Sequence, residues 1–64
     1  MITVNGVAED HVDETIGELV RRLEIQPRGV AVAVDGEIIR RADWSDTRIK
    51  DESVIEIVTA VAGG

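Results

Sequence analysis

The sequence predicts an α+β domain in which one helix packs on one face of a mixed sheet of four to five strands. Two hairpin signals, Asn5-Gly6 and Asp35-Gly36, each join a pair of short apolar segments. A single stretch with helical spacing lies between the two hairpins, and a last apolar segment begins at Val54. The expected order is therefore strand, strand, helix, strand, strand, strand.

The first hairpin is predicted from its turn. Ile2-Thr3-Val4 alternates apolar and polar residues, and both positions of Asn5-Gly6 tolerate a positive φ. A second strand should then run to about Val12, and its polar content is typical of a strand at the edge of a sheet. His11 has no second His or Cys as a companion ligand, so we interpret it as solvated strand surface and not as a metal site.

The helix is predicted from its cap and its apolar stripe. Thr15 and Glu18 have the spacing of a capping box, in which each side chain binds a backbone N–H of the other residue. Four apolar residues then recur on one face: Ile16, Leu19, Val20 and Leu23. Pro27 should end the helix, because the residue before a proline avoids the helical conformation.

The second hairpin contains the clearest period of two in the chain. The segment Val30-Ala-Val-Ala-Val34 places its valines on one face of the strand and its alanines, Ala31 and Ala33, on the other. The chain then returns through Glu37-Ile38-Ile39. Trp44 is the only large aromatic residue, and we expect it to plug the end of the sheet, where its indole N–H needs a partner.

The last strand alternates in the same way. Ile55 and Ile57 should face the helix, whereas three residues should face outward: Glu56, Val58 and Ala60. The face of the sheet without a helix would then carry four small apolar residues: Ala31, Ala33, Val58 and Ala60. Scattered exposed apolar residues are normal in soluble proteins. Their position next to the C-terminal segment favours a docking patch for a partner protein.

Composition excludes several classes of function. The chain has 64 residues, a net charge of −6 and a pI near 4.5, which argues against binding of nucleic acid. No apolar run approaches the roughly 18 residues that cross a bilayer, so we expect no membrane insertion. No leader precedes Ile2, so we expect a cytoplasmic protein. We also expect it to be a monomer when free. One small core leaves little room for a catalytic pocket of roughly 300 Å³. The absence of cysteine excludes a thiol nucleophile and a thiolate metal site.

The C-terminal residues form the candidate site. We expect a folded domain over residues 1–60 and a flexible tail over residues 61–64 that ends in Gly63-Gly64. Glycines contribute no packing, but their freedom of conformation lets a chain enter a narrow channel. Extended from Val61, the tail would reach roughly 13 Å and present the carboxylate of Gly64 to another protein's active site. The expected partner-binding residues are those of the tail and of the face beside it: Gly63, Ala62, Val61, Ala60, Val58, Ala31 and Ala33.

These residues match the pattern of a known family. A resemblance to the ThiS family, the sulfur carriers of thiamine biosynthesis, rests on Arg28-Gly-Val-Ala-Val-Ala-Val-Asp-Gly36, Arg41-x-x-Trp44, Thr47-x-Ile49 and the segment Val54–Gly64. The order of elements resembles the ubiquitin-like β-grasp fold of that family, and the resemblance covers the whole chain. The chain departs from the family pattern in its loops, with Arg40 where proline is usual.

The resemblance implies a definite chemistry for Gly64. An E1-like adenylyltransferase of the ThiF type would use ATP to adenylate its carboxylate, and a persulfide sulfur donor protein would convert the acyl-adenylate to a thiocarboxylate. Thiazole synthase, of the ThiG type, would take that sulfur for the thiazole ring of thiamine. The carrier itself would bind no cofactor or metal and contribute no catalytic residue, so it would be a protein co-substrate and not an enzyme.

Three alternatives remain open at this point. A molybdopterin-type sulfur carrier shares the fold, the tail and the activation step but serves another acceptor; such carriers tend to be longer and to lack Arg41-x-x-Trp44. A ubiquitin-like modifier would join Gly64 to lysines of target proteins. A purely structural binding domain would lose nothing when Gly63 and Gly64 are deleted.

Overall fold

The computed structural model describes residues 1–26 and 28–59. The elements follow in this order: β1 (Ile2–Val4), β2 (Val7–Glu9), α1 (Ile16–Arg22), β3 (Val30–Val34), β4 (Glu37–Ile39), a 3-10 helix (Arg41–Asp46) and β5 (Val54–Thr59). The strands form one sheet in the order β2-β1-β5-β3-β4, in which β1 and β5 run parallel and the other neighbours antiparallel. The predicted α+β architecture is confirmed, and the mixed sheet has five strands.

The core lies between α1 and one face of the sheet. Its buried apolar residues come from β1, α1, β3, the 3-10 helix, the segment after it and β5: Ile2, Val4, Ile16, Leu19, Val20, Val32, Trp44, Ile49, Ile55 and Ile57. Most of the predicted helical stripe belongs to this cluster, and Leu23 packs against it while partly exposed. Full burial of one such side chain stabilises the fold by about 1.5–3 kcal/mol. This single cluster therefore supplies most of the driving force for folding.

The N-terminal end of α1 has the predicted capping box. The backbone N–H of Glu18 donates to Thr15 Oγ1 at 3.2 Å, and the backbone N–H of Thr15 donates to Glu18 Oε1 at 2.8 Å. Backbone N–H groups at a helix start have no partner within the helix, so these two side chains satisfy donors that would otherwise face water. The helix begins at Ile16, directly after its cap.

The C-terminal end of α1 differs from the prediction. The helix ends at Arg22, well before Pro27, so the expectation that the proline ends it is wrong. Glu24 adopts a left-handed φ of 57°, and the backbone N–H groups of Glu24 and Ile25 donate to carbonyl groups of the last helical turn. This is the Schellman arrangement, which usually has glycine at the left-handed position. Backbone hydrogen bonds therefore end the helix. The sequence did not indicate this end, because Glu24 stands where the motif usually has glycine.

The second strand is also shorter than predicted. β2 ends at Glu9, so the expected extension to Val12 is wrong. Glu9 pairs with Ile2, the first residue of β1, and the neighbouring strand therefore offers no partner beyond this pair. His11 consequently does not lie on a strand. It is exposed, and its Nε2 lies 2.9 Å from the carbonyl oxygen of Ile49, to which Nε2–H can donate.

Trp44 is buried against the end of β4, as predicted. It lies in the 3-10 helix, which packs against α1, and only 5% of it is exposed. Its indole Nε1 donates to the carbonyl oxygen of Ile39, the last residue of β4, at 3.0 Å. Because a buried indole N–H without a partner would be unfavourable, this bond lets the ring fill the core at that end.

Arg22 of α1 binds both the buried carboxylate of Glu14 and the N-terminal hairpin. Glu14 is 6% exposed, and Arg22 donates to its two oxygens at 3.2 and 2.8 Å. The same guanidinium reaches Glu9, the last residue of β2, at 3.2 Å. The hydrogen bond to Glu14 is the main reason that the pKa of the Arg22 guanidinium lies above its usual value. The two hydrogen bonds to Glu14 fix the orientation of the guanidinium as well as adding stability. The bond from Arg22 to Glu9 holds α1 next to β2, at the edge of the sheet.

Candidate functional site

The central strand, β5, leads toward the predicted tail. It pairs with β1 on one side and with β3 on the other. β5 ends at Thr59, and the remaining residues lie outside the part that the structure describes: Ala60, Val61, Ala62, Gly63 and Gly64. The roles predicted for these residues stay predictions, as do the domain boundary at residue 60 and the flexibility of residues 61–64.

Two hairpin turns hold β5 from opposite sides. Asn5 has a φ of 51°, and its side-chain amide accepts from the N–H of Ile57 at 2.7 Å and donates to the carbonyl of Ile57 at 3.2 Å. Asp35 has a φ of 50°, and its Oδ1 accepts from the N–H of Val54 at 2.9 Å. The backbone N–H of Asp35 donates to the carbonyl of Val54 at 2.8 Å. The first residue of each predicted turn thus also binds the central strand.

The Asn5 amide continues the ladder after β1 has ended. β1 stops at Val4, so β5 has no strand beside it on this side from that point onward. The amide of Asn5 takes the place of a backbone peptide and satisfies both polar groups of Ile57. Because Ile57 lies two residues before Thr59, Asn5 fixes β5 near its last residue.

Alternate residues of β5 face opposite sides of the sheet. Ile55 and Ile57 are 0% and 9% exposed and belong to the core, as predicted. Val54 and Val58 are 50% and 59% exposed, and Glu56 is exposed as well. The predicted outward orientation is therefore confirmed for Glu56 and Val58.

We call the side of the sheet away from α1 the open face. The strand register places Ala31 opposite Val58, and it places Ala33 opposite both Glu56 and Ile38. The described residues of the open face are Thr3, Ala8, Ala31, Ala33, Ile38, Val54, Glu56 and Val58. The structure thus brings three of the predicted contact residues, Ala31, Ala33 and Val58, onto one surface.

Two large members of the open face, Ile38 and Val54, were not among the predicted contact residues. A two-residue turn at Asp35-Gly36 pairs Ala33 with Ile38, so the hairpin pattern contains the signal for Ile38. Val54 opens a strand with a period of two, which places it outward. The position of Glu56 beside Ala33 could not be predicted in this way, because it depends on the register of β3 against β5.

An exposed ion cluster lies before β5, away from its C-terminal end. The N-terminal ammonium of Met1 donates to Asp51, and it donates to Glu52 at 3.2 Å. The hydrogen bond to Asp51 raises the pKa of the ammonium, and the same bond lowers the pKa of the Asp51 carboxyl. Because all three groups are exposed to water, the cluster contributes little to stability.

In the part of the chain that the structure describes, the candidate site consists of a strand and a surface. Among residues 1–26 and 28–59, no group of three or more His, Cys, Asp or Glu is arranged to hold a metal ion. In the same part of the chain, no helix has the length and apolar character needed to traverse a bilayer. The described residues thus provide a central strand that is paired on both sides and that lies beside an exposed, mainly apolar face.

Related proteins share this sequence pattern. The ThiS family matches residues 2–64 of the chain. The chain is 27% identical over 64 residues to the sulfur carrier protein ThiS of Thermus thermophilus, and the match covers 100% of both chains. It is 29% identical over 51 residues to the sulfur carrier protein ThiS of Escherichia coli, which covers 80% of this chain and 77% of the relative.

Solved structures share the fold. The crystal structure of the thiamine biosynthesis protein ThiS from Geobacter metallireducens matches with a TM-score of 0.80 at 28% identity, covering 98% of this chain and 97% of that one. A solution NMR structure of a thiamine biosynthesis protein from the same organism matches with a TM-score of 0.76 at 27% identity, covering 98% and 86%. The ubiquitin-like β-grasp fold is confirmed. Because the family match spans nearly the whole sequence, the chain belongs to the ThiS family.

Proposed function

We propose that this chain is a sulfur carrier protein of thiamine biosynthesis and that it carries sulfur as a thiocarboxylate on Gly64. Membership in the ThiS family and full-length likeness to the Thermus thermophilus sulfur carrier support the proposal. The structural observation that carries it is the position of β5, a central strand that is paired on both sides and leads toward Gly63-Gly64. A body of this kind fixes where the tail begins, which a partner enzyme needs in order to reach Gly64.

The proposed chemistry begins with activation of the terminal carboxylate. A carboxylate is a poor acyl donor because its anionic oxygen is a poor leaving group. A carboxylate oxygen of Gly64 attacks the α-phosphorus of ATP and pyrophosphate leaves, which gives an acyl-adenylate. An E1-like enzyme of the ThiF type supplies the ATP site and the catalytic groups, so the partner consumes ATP and this chain binds no cofactor.

Sulfur transfer then takes place at the same carbonyl carbon. The terminal sulfur of a persulfide on the donor protein attacks this carbon, AMP leaves, and an acyl disulfide forms. A thiol cleaves the sulfur–sulfur bond, which releases the donor as a disulfide with that thiol and leaves the thiocarboxylate on Gly64. Thiazole synthase of the ThiG type takes this sulfur. Because the chain has no cysteine, every thiol in these steps belongs to a partner.

In this proposal the chain contributes binding and presentation, and it is a co-substrate and not an enzyme. The proposed contact residues are those of the tail and the open face: Gly63, Ala62, Val61, Ala60, Val58, Ala31 and Ala33. The net charge of −6 favours partners with a basic surface and disfavours nucleic acid. We expect the protein to work in the cytoplasm and to be a monomer between encounters with its partners.

Removal of Gly63 and Gly64 tests the proposal. The truncated chain should keep its thermal unfolding midpoint, because both glycines lie beyond β5 and contribute no side chain to the core. It should nevertheless support no ATP–pyrophosphate exchange by the ThiF-type enzyme of the same organism, for which the full-length chain is the control. Normal exchange with the truncated chain would show that Gly64 is not the activated group.

Mass spectrometry of the intact protein from cells separates the related functions. A sulfur carrier should contain a form in which one oxygen is replaced by sulfur. Alkylation of the thiocarboxylate distinguishes this form from oxidation of Met1, which changes the mass almost equally. A ubiquitin-like modifier would appear as conjugates of higher mass. Complementation of a strain that requires the thiazole precursor decides between the thiamine pathway and a molybdopterin-type carrier.

A further inference from the structure

On the open face, the described strand residues include one charged side chain, and Glu52 borders this face beside Thr3 and Val54. Of its members that the structure describes, only Glu56 is ionisable. Val54 and Val58 lie on either side of Glu56 along β5, and Ala33 lies opposite it on β3. Ile38 pairs with Ala33 from the next strand and is 68% exposed. Glu56 therefore stands among small and medium apolar side chains.

Glu56 differs from the carboxylates that support the fold. Glu14 binds Arg22, and Asp13 binds Arg48 at 2.8 Å. By contrast, no hydrogen bond or ion pair joins the Glu56 side chain to another residue within 1–26 and 28–59. In the free protein, an unpaired Glu56 costs little free energy, because its carboxylate is exposed to water. Within residues 1–26 and 28–59, exposure accounts for a polar residue here, but no bond requires it to be charged.

Docking of a partner changes the situation of Glu56. A protein that covers the open face removes water from the carboxylate, and a buried carboxylate without a partner is strongly unfavourable. A purely apolar partner surface would therefore be rejected. A partner that places an Arg or Lys opposite Glu56 replaces the lost hydration by a charge-assisted hydrogen bond. The apolar stem of such a side chain can lie on Ala33 beside Ile38.

We propose that the open face selects a partner surface that is apolar around one Arg or Lys, and that Glu56 recognises this cation. The proposal rests on the proposed function, since the partner is the enzyme that activates Gly64. On β3, Ala31 and Ala33 place short side chains between β4 and β5, and the net charge of −6 attracts a basic surface. A second copy of this chain does not fit, because two open faces in contact would bury two Glu56 carboxylates without a cation.

Replacement of Glu56 by valine tests this inference, because the two kinds of partner surface give opposite results. If the partner presents a cation, Glu56→Val leaves that cation unpaired in the interface and should raise the Kd about tenfold or more. If the partner surface is purely apolar, the same change removes a desolvation penalty and should lower the Kd. A lower or unchanged Kd overturns the inference. Valine is a good strand former, so the variant should fold.

Glu37→Val is the matched control. Glu37 is an exposed glutamate on a neighbouring part of the same sheet, and it pairs with Val34 on the α1 side. This variant makes the same chemical change away from the open face, so its Kd should stay within about twofold of the original. Thermal unfolding of both variants verifies that they are folded. A rise in Kd of the same size for both would assign the effect to net charge and overturn the role of Glu56.

The measurement separates this inference from the proposed function. Calorimetric titration of each full-length chain into the ThiF-type enzyme without ATP reports binding alone. ATP–pyrophosphate exchange with the original chain reports the proposed function. Absence of exchange with the original chain would defeat the proposed function. Normal exchange, combined with a Kd that Glu56→Val does not raise, would defeat only the role of Glu56.

Discussion

The two faces of the sheet are built from the same strands, but one face is buried in the core and the other is exposed to water. On the α1 side, Ile55 and Ile57 pack into the core, and burial determines which residues fit there. On the open face, Val54, Glu56 and Val58 meet water, and packing within the described fold does not require them. Ile55 and Ile57 therefore serve stability, and Val54, Glu56 and Val58 are free to serve contact with a partner.

The largest expected effect tests whether the two faces differ in stability. Ile55→Ala removes a fully buried side chain, so the free energy of unfolding should fall by about 2–5 kcal/mol. Val54→Ala, on the open face, should change it by less than about 1 kcal/mol. Urea unfolding followed by Trp44 fluorescence measures both variants. Similar losses for the two would mean that packing constrains the open face as well.

An intermediate effect is expected at the turn after β1, where Asn5 binds the central strand to which both faces belong. Asn5→Gly keeps a residue that tolerates the left-handed φ but removes both side-chain bonds to Ile57, so the free energy of unfolding should fall by about 1–2 kcal/mol. Amide hydrogen exchange of Ile57 should become faster than in the original chain, because its N–H loses the Oδ1 acceptor of Asn5. Exchange of Ile55, which pairs with Val4 of β1, should change less. Unchanged exchange at Ile57 would show that the Asn5 amide does not hold the end of β5.

The smallest expected effect concerns the ammonium of Met1 and Asp51, which belong to neither face. The pKa of the ammonium is raised in the fold, so its stabilisation is complete below about pH 8 and is lost as the pH rises through the raised value. The pKa of Asp51 is lowered, so its stabilisation is complete above about pH 4 and is lost as the pH falls through the lowered value.

Asp51→Asn should therefore be slightly less stable than the original chain between about pH 4 and pH 8, and the difference should vanish at strongly acid and strongly alkaline pH. Thermal unfolding midpoints of the two chains across this range provide the measurement. A difference that is constant with pH would show that the charges of the ammonium and of Asp51 are not its cause, because the side-chain amide oxygen introduced by Asp51→Asn could still accept from the backbone N–H of Glu52 as Asp51 does.

Most of the fold could be predicted because its signals are local. The capping box of Thr15 and Glu18, the helical stripe and both hairpin turns depend on residues within a few positions of each other, and all of them are present. The alternation along β5 likewise predicted which residues are buried. In each case, the residues that determine the local structure lie within one turn, one helix or one strand.

The errors and omissions depend on distant residues or on an unusual choice of residue. β2 stops at Glu9 because its neighbour β1 begins at Ile2, which the local pattern of β2 does not reveal. The helix ends early because Glu24 takes a conformation in which glycine is usual. The apolar neighbours of Glu56 on β3 and β4 follow from the register of three strands, so no local sequence pattern could predict them.

The ribosome makes β5 after every other described strand, yet β5 lies in the middle of the sheet. Asn5 and Ile57, which must meet, are 52 residues apart in sequence, and contacts at such separation form slowly. Until β5 emerges, nothing joins the hairpin of β1 and β2 to the hairpin of β3 and β4 as one sheet. A nascent chain therefore stays unfinished until its final strand is translated, and truncated products cannot display a complete surface to other proteins.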